Sequence, residues 1–314
     1  MIGDETMIIE FSKGLHKEKI FGQGNELVSI LAHDTDADGK RILTLPNNKK
    51  EHIITFDNPV LVTDNYKIGC LDSTLRDTIF ALFKSPTVTV KYDGTVIDFE
   101  QRKYPQVWGP SIDTLYLAEI LTQEYLSDVN TAAESGSGSA FLSMRLLQNA
   151  KNLETLSVID TNKYAIRCAK DHINDERVKF SNSDAIKYLK GKKFDLIICN
   201  PPYILRPESI DDNAYEGVSM LAYLIKNTAS LVNDGGRILT NISTLADSVI
   251  NPLLEESGTI HKVLREKYVP LKVFNVLNNK KWMDYLLSEK GLKKDPHDGY
   301  DYWHTIKITE LRAA

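Results

Sequence analysis

A chain of 314 residues, 42% hydrophobic and 26% charged, has enough apolar side chain for a large core and fits two domains better than one. The formal net charge of −5 excludes a surface coated in basic residues for duplex nucleic acid. No apolar run approaches the ~20 residues of a membrane span, and the start, MIGDETMIIEF, carries acids where a secretory leader carries lysines, so no membrane association and a cytoplasmic location are expected. Cys70, Cys168 and Cys199 are dispersed and lack CxxC spacing, which argues against a disulfide framework or a zinc cluster. The seven histidines show no HExxH or paired ligand spacing, so no catalytic metal is expected.

From about residue 27 to 100 the pattern is short β-type runs separated by turn chemistry: HIITF, PVLVTDNYKIG, and TVTVKYDGTVIDF with an Asp93-Gly94 hairpin signal. A helical stretch, LRDTIFALFK, interrupts them. Asp34 to Gly39 opens like a calcium loop, but position twelve is Leu45, so a hairpin turn is the reading. Residues 1–105 are therefore expected to form a smaller β-rich recognition domain.

Beyond residue 106 helices alternate with buried strands, the signature of an α/β, doubly wound, mostly parallel sheet. SIDTLYLAEILTQEYL reads as a helix capped by Ser111, and TAAES as the first strand. There follow strand TLSVID, helix NKYAIRCAKDHI, strand VKFSN, helix DAIKYLK, strand FDLIICN, helix MLAYLIKNTASLV and strand RILTNIS. The tail predicts a helix near 247–257, a strand in YVPLKVFNVL, a helix in KKWMDYLLSEKG and a closing strand YWHTIKI. Trp108 and Trp282 read as packing residues. Nothing in the sequence specifies an oligomeric state.

Three strand ends carry candidate chemistry. The first is the turn Glu134-Ser135-Gly136-Ser137-Gly138-Ser139-Ala140, whose glycines allow close backbone approach to a ligand; a ligand-free tight turn has the same composition. The second is Asp160, placed to take two ribose hydroxyls of either a nicotinamide or a sulfonium nucleoside. Asp184, ending the third strand, suits an adenine ligand or a helix cap equally.

The fourth strand runs into Asn200-Pro201-Pro202-Tyr203, where two prolines stop the ladder and stiffen the backbone at the edge where open α/β sheets bind ligands. The Asn200 side-chain oxygen and the Pro201 carbonyl can take both hydrogens of a planar NH2 group, turning its lone pair toward a methyl sulfonium, with Tyr203 placed to stack on the flat acceptor.

This combination resembles the class I S-adenosylmethionine-dependent amino-methyltransferases with an NPPY motif, a family of adenine and protein-glutamine methyltransferases. The likeness covers about residues 106–245. It implies a seven-stranded class I sheet in a catalytic domain of residues 106–314, S-adenosylmethionine as cofactor, and a macromolecular substrate, protein or nucleic acid. It places Glu134, Gly136 and Gly138 at the methionine end of the cofactor, Asp160 at its ribose and Asp184 at its adenine. Asn200, Pro201, Pro202 and Tyr203 fall at the target nitrogen, with Asn200 also bordering the cofactor. The segment Pro110-Ser111-Ile112-Asp113-Thr114 is similar to the Pro-x-x-Asp-Thr element of glutamine methyltransferases. That puts Pro110, Asp113 and Thr114 near the methionine and protein glutamine ahead of adenine; a proline-led helix start is the plain alternative.

The chain departs from the family at Glu134, usually Asp, at Ala140, usually Gly, and in its β-rich front, which is unlike the helical front of release-factor glutamine methyltransferases. Two other readings are a nicotinamide oxidoreductase, disfavoured by Phe141 where a third glycine belongs, and an inactive cofactor-binding scaffold, disfavoured by the intact NPPY.

Overall fold

In the computed structural model, residues 87–92, 94–100, 102–207, 217–271, 273–277, 279–297 and 300–314 are described, preceded by five short strands. Those strands are β1 (Ile20–Phe21), β2 (Leu27–Val28), β3 (Ala32–Thr35), β4 (Arg41–Thr44) and β5 (Val60–Val62). β1 pairs with β2, and β3 with β4, both antiparallel, so the calcium-loop lookalike joins two paired strands. β5 joins β6 (Thr87–Tyr92), which turns through Gly94 at φ 78° into β7 (Thr95–Glu100), as the Asp-Gly signal predicts. HIITF and LRDTIFALFK lie outside the described residues.

Alternation of helix with apolar strand then builds one mixed sheet. Its first strands are β8 (Thr131–Ser135), β9 (Thr155–Asp160), β10 (Val178–Asn182), β11 (Phe194–Cys199) and β12 (Val232–Ser243). β13 (Ile260–Pro270), β14 (Lys293–His297) and β15 (Tyr300–Arg312) complete it. The order is β10-β9-β8-β11-β12-β15-β13, with β14 paired to β15. The first five strands are parallel and β15 runs antiparallel to both neighbours. Eight strands thus stand where seven were expected, the addition being β14.

The helices are α1 (Ile112–Ile120), α2 (Phe141–Asn149), α3 (Lys163–His172), α4 (Ala185–Leu189), α5 (Ser219–Leu231), α6 (Asp247–Ser257), α7 (Phe274–Leu277) and α8 (Lys280–Ser288). Central strands carry fully buried Leu156, Val158, Leu196, Ile197, Ile198, Ile238 and Leu239, as parallel strands covered on both faces require. The β6–β7 hairpin is bonded to this unit: Thr95 Oγ1 donates to Gln148 on α2, and His172 Nε2 on α3 lies 2.7 Å from the Asp98 carbonyl.

Two expected elements shift. The helix predicted to run from Ser111 to Leu126 stops at Ile120, because Thr122 starts a separate turn in which its Oγ1 accepts from Tyr125 N and its carbonyl from Leu126 N. The strand expected in YVPLKVFNVL ends at Pro270 and begins ten residues earlier, at Ile260. Its register with β15 is set by the ladder, while its own face is exposed and polar, which hides it from a hydrophobic pattern.

Opposite the strand ends that carry the candidate chemistry, Asp195 gathers three strand starts. Its carboxylate accepts from Asn130 N, Thr131 N and Thr131 Oγ1 on one oxygen and from Asn233 Nδ2 on the other. Nearby Arg237, 3% exposed, forms a bidentate pair with Asp128 and lies over the Tyr125 ring, whose hydroxyl donates to Glu310 at 2.8 Å. Replacing Arg237 with Ala removes the bidentate partner of Asp128 and the donor to the Tyr125 carbonyl and empties a packed site, so unfolding should move to lower denaturant by an amount equivalent to about 3 kcal/mol with an unchanged slope.

Candidate active site

Strand order reverses between β8 and β11, and at that switch point the carboxyl ends of β8 to β11 open a cavity of about 1050 Å³. Of the residues singled out from sequence, Asp113, Thr114, Glu134, Gly136, Gly138, Asp160, Asp184, Asn200, Pro201, Pro202 and Tyr203 line it. Pro110 is buried and is not among the lining residues.

The turn after β8 is fastened to the end of β9. Gly136 N and Ser137 N donate to the Ile159 carbonyl at 2.9 and 3.1 Å, and Gly138 N donates to Asp160 Oδ2 at 2.9 Å. Asp160 Oδ1 accepts from Asn162 N at 2.8 Å, so each carboxylate oxygen keeps a lone pair for a further donor. Burial raises the Asp160 pKa against the pull of these two bonds. The two glycines have different reasons. Gly136, at φ 70°, faces open space, whereas a Cβ on Gly138, at φ 49°, would stand 2.8 Å from the Trp108 carbonyl. Gly138 thus approaches the Trp108 main chain closely while also lining the cavity.

Glu134 reaches across the same turn. It is 3% exposed, and its Oε2 accepts from Ser143 N at 2.9 Å and from Ser143 Oγ. Ala140, the residue before α2, adopts φ 63° and makes no side-chain cap, so Glu134 supplies the helix's missing acceptor. Burial pushes its carboxyl up to about 8, the Ser143 donors oppose that, and neighbouring Asp160 adds to it. Asp184 accepts from Lys187 N at 2.9 Å as the cap of α4 and also borders the cavity.

At the end of β11 the NPPY segment is held from several sides. Tyr203 donates its hydroxyl to Asp113 Oδ2 at 2.7 Å and its ring packs 5.9 Å from that of His304. Asn200 Nδ2 donates to Thr114 Oγ1 at 3.4 Å, and Asn200 Oδ1 accepts from Asn241 Nδ2 at 2.8 Å. Beyond the prolines, Trp282 Nε1 donates to the Leu205 carbonyl at 2.6 Å. Trp282 is thus the packing residue expected, but Trp108 is half-buried and lines the cavity. Ser143 and Asn241 carry no motif; the one signal for Asn241 was a polar residue inside the apolar strand RILTNIS. Among the described residues no group of His, Cys, Asp and Glu is arranged to hold a metal ion, and no helix is long and apolar enough to cross a membrane.

Comparison with known proteins matches residues 112–268 to the family described as Methyltransferase small domain. A Methanocaldococcus jannaschii protein, provisionally named a protein N5-glutamine methyltransferase, is 28% identical over 56% of this chain and 92% of its own. The release factor glutamine methyltransferase of Clostridium acetobutylicum is 25% identical over 58% of this chain and 70% of its own. The tRNA1(Val) (adenine(37)-N6)-methyltransferase of Tolumonas auensis is 27% identical over 35% of this chain and 47% of its own.

Two outcomes test this geometry. Gly138→Ala must displace the Trp108 carbonyl as well as strain its backbone, so it should lower the melting temperature more than Gly136→Ala, whose cost is the left-handed φ alone, about 1 kcal/mol. Glu134 binds its proton more tightly folded than unfolded, so its contribution to stability is complete below pH 4.5 and is lost as pH rises through about 8. Ligand-free protein should therefore lose on the order of 4 kcal/mol across that window. Glu134→Gln, which cannot ionise, should show a flatter melting temperature over the same range.

Proposed function

The chain belongs to the methyltransferase small domain family and is an S-adenosylmethionine-dependent methyltransferase, and from that premise we propose that it methylates the side-chain amide nitrogen of a protein glutamine. The observation that carries the reading is the Asn200 carboxamide, pinned at both ends on the cavity wall beside the two prolines. Glutamine is favoured over adenine by the relatives: those named for glutamine align over 92% and 70% of their own length, the tRNA adenine enzyme over 47%.

The cavity suits the methyl donor by its donor set. Glu134, buried beside the glycine turn, would face the ammonium of the methionine portion, and the spare lone pairs of Asp160 would take the ribose hydroxyls. Asp184 would accept from the adenine amine, and the open side of Gly136 leaves room for the chain between. S-adenosylmethionine supplies a methyl group made electrophilic by its sulfonium.

The protein's own task is orientation. An amide nitrogen is a weak nucleophile because its lone pair is conjugated with the carbonyl, and an acceptor on each N–H turns that pair out of conjugation and toward the donor. Asn200 Oδ1 and the Pro201 carbonyl fill those two places in this reading. Both are neutral, which suffices, because the N–H becomes acidic only as the new N–C bond forms. Tyr203 borders the acceptor, its phenol fixed by Asp113. Choice of acceptor falls to residues 1–105, most of which lie outside the described residues.

Tritiated S-adenosylmethionine incubated with the protein and a cell extract should label the protein fraction. Acid hydrolysis of that fraction should release the label as methylamine, since a methylated glutamine amide is cleaved to glutamate and the amine. Label resistant to acid and sensitive to ribonuclease would move the assignment to adenine. Asn200→Ala should retain S-adenosylhomocysteine binding by calorimetry while the methylation rate falls roughly 100-fold or more.

A further inference from the structure

We propose that Asn241 is a positioning residue that decides which end of the Asn200 carboxamide faces the acceptor; the inference rests on the role given to Asn200 above. The two ends of a carboxamide have the same shape, so a side chain that must present oxygen to a substrate N–H needs a neighbour that tells oxygen from nitrogen. The parallel register of β11 and β12 pairs Cys199 with Thr240, which puts Asn200 and Asn241 side by side at the next position.

Asn241 has no exposed surface, and its Nδ2 lies 3.4 Å from the Asp113 main-chain carbonyl and 2.8 Å from Asn200. A main-chain carbonyl only accepts, so the Asn241 atom facing it is the NH2 group. The second hydrogen of that NH2 group then points at Asn200, so the Asn200 atom it meets is oxygen.

The other end of Asn200 is consistent. Thr114 Oγ1 accepts from Ser111 N at 3.3 Å and from Asn200 Nδ2, and its own hydrogen is left for Ser111 Oγ, 3.2 Å away. Ser111 Oγ in turn accepts from Thr114 N at 3.4 Å. From the Asn241 NH2 group donation runs to the Asp113 carbonyl on one side and through Asn200 and Thr114 to Ser111 Oγ on the other, and each end is fixed by a backbone group of unambiguous polarity. Among the described residues Asn200 Oδ1 takes this single donor, which leaves one lone pair for a substrate N–H.

Asn241 is a costly residue to keep for structure alone. Its Oδ1 is buried with no partner among the described residues, a penalty that a leucine of similar size avoids. A strand position retained against that penalty for its NH2 group is what orientation of Asn200 requires.

Asn241→Leu separates the two roles. The acceptor in the assay is whichever fraction of a cell extract, protein or RNA, takes tritium from labelled S-adenosylmethionine with the unaltered enzyme, so the outcome does not depend on the glutamine assignment. The methylation rate at saturating S-adenosylmethionine should fall roughly 100-fold. The KM for S-adenosylmethionine, the calorimetric affinity for S-adenosylhomocysteine and the melting temperature should stay close to those of the unaltered protein. In the Asn200→Ala background the same substitution should cost almost nothing more, because the group it orients is gone. An undiminished rate, a loss of melting temperature and S-adenosylhomocysteine binding in step with rate, or full additivity with Asn200→Ala would each overturn the proposal. Retained turnover in Asn200→Ala alone would instead remove the role of Asn200 on which it stands.

Discussion

The site depends on a small set of hydrogen bonds that fasten one strand end to another: Gly136 N and Ser137 N to the Ile159 carbonyl, and Gly138 N to Asp160. Three successive N–H groups spent on β9 force the chain after β8 to turn sharply and lie along its neighbour. Two of those residues need left-handed backbone to do so, and the Trp108 carbonyl closes against the second. α2 can then begin only where the turn releases it, at a residue with no side-chain cap. Glu134 makes good that deficit from inside the sheet, which accounts for an acid one methylene longer than the family's usual Asp. A cavity bounded by a buried and a half-buried carboxylate thus follows from the way one loop is tied down.

The parallel half of the fold was legible because its central strands are apolar and its helices carry period and caps; Asp184 caps α4 as its position in the sequence suggests, and Asn162 caps α3. The tail was less legible. β13 shows solvent mostly Lys, Arg, Glu and His side chains, so its strand character comes from the ladder with β15 and leaves little mark on hydrophobic periodicity. β14, short and charged, escapes for the same reason.

For the site, the motif residues were found from their chemistry, and eleven of them meet at one cavity. What could not be read was the layer behind them. Tyr203 held by Asp113, and Asn200 held between Thr114 and Asn241, join residues 90, 86 and 41 positions apart, and such partners follow from sheet register and helix placement. Pro110 was grouped with the cofactor by motif alone, and it is buried outside the cavity lining.

The anchoring of the chain after NPPY has a consequence for the stiffness of the catalytic edge. Gly217 N donates to the Ile204 carbonyl at 2.7 Å and Trp282 holds the next carbonyl, so the chain leaves the site and returns to it at one fixed point. The catalytic edge therefore borrows stiffness from contacts beyond the motif, so the two prolines are not alone in fixing where Asn200 stands.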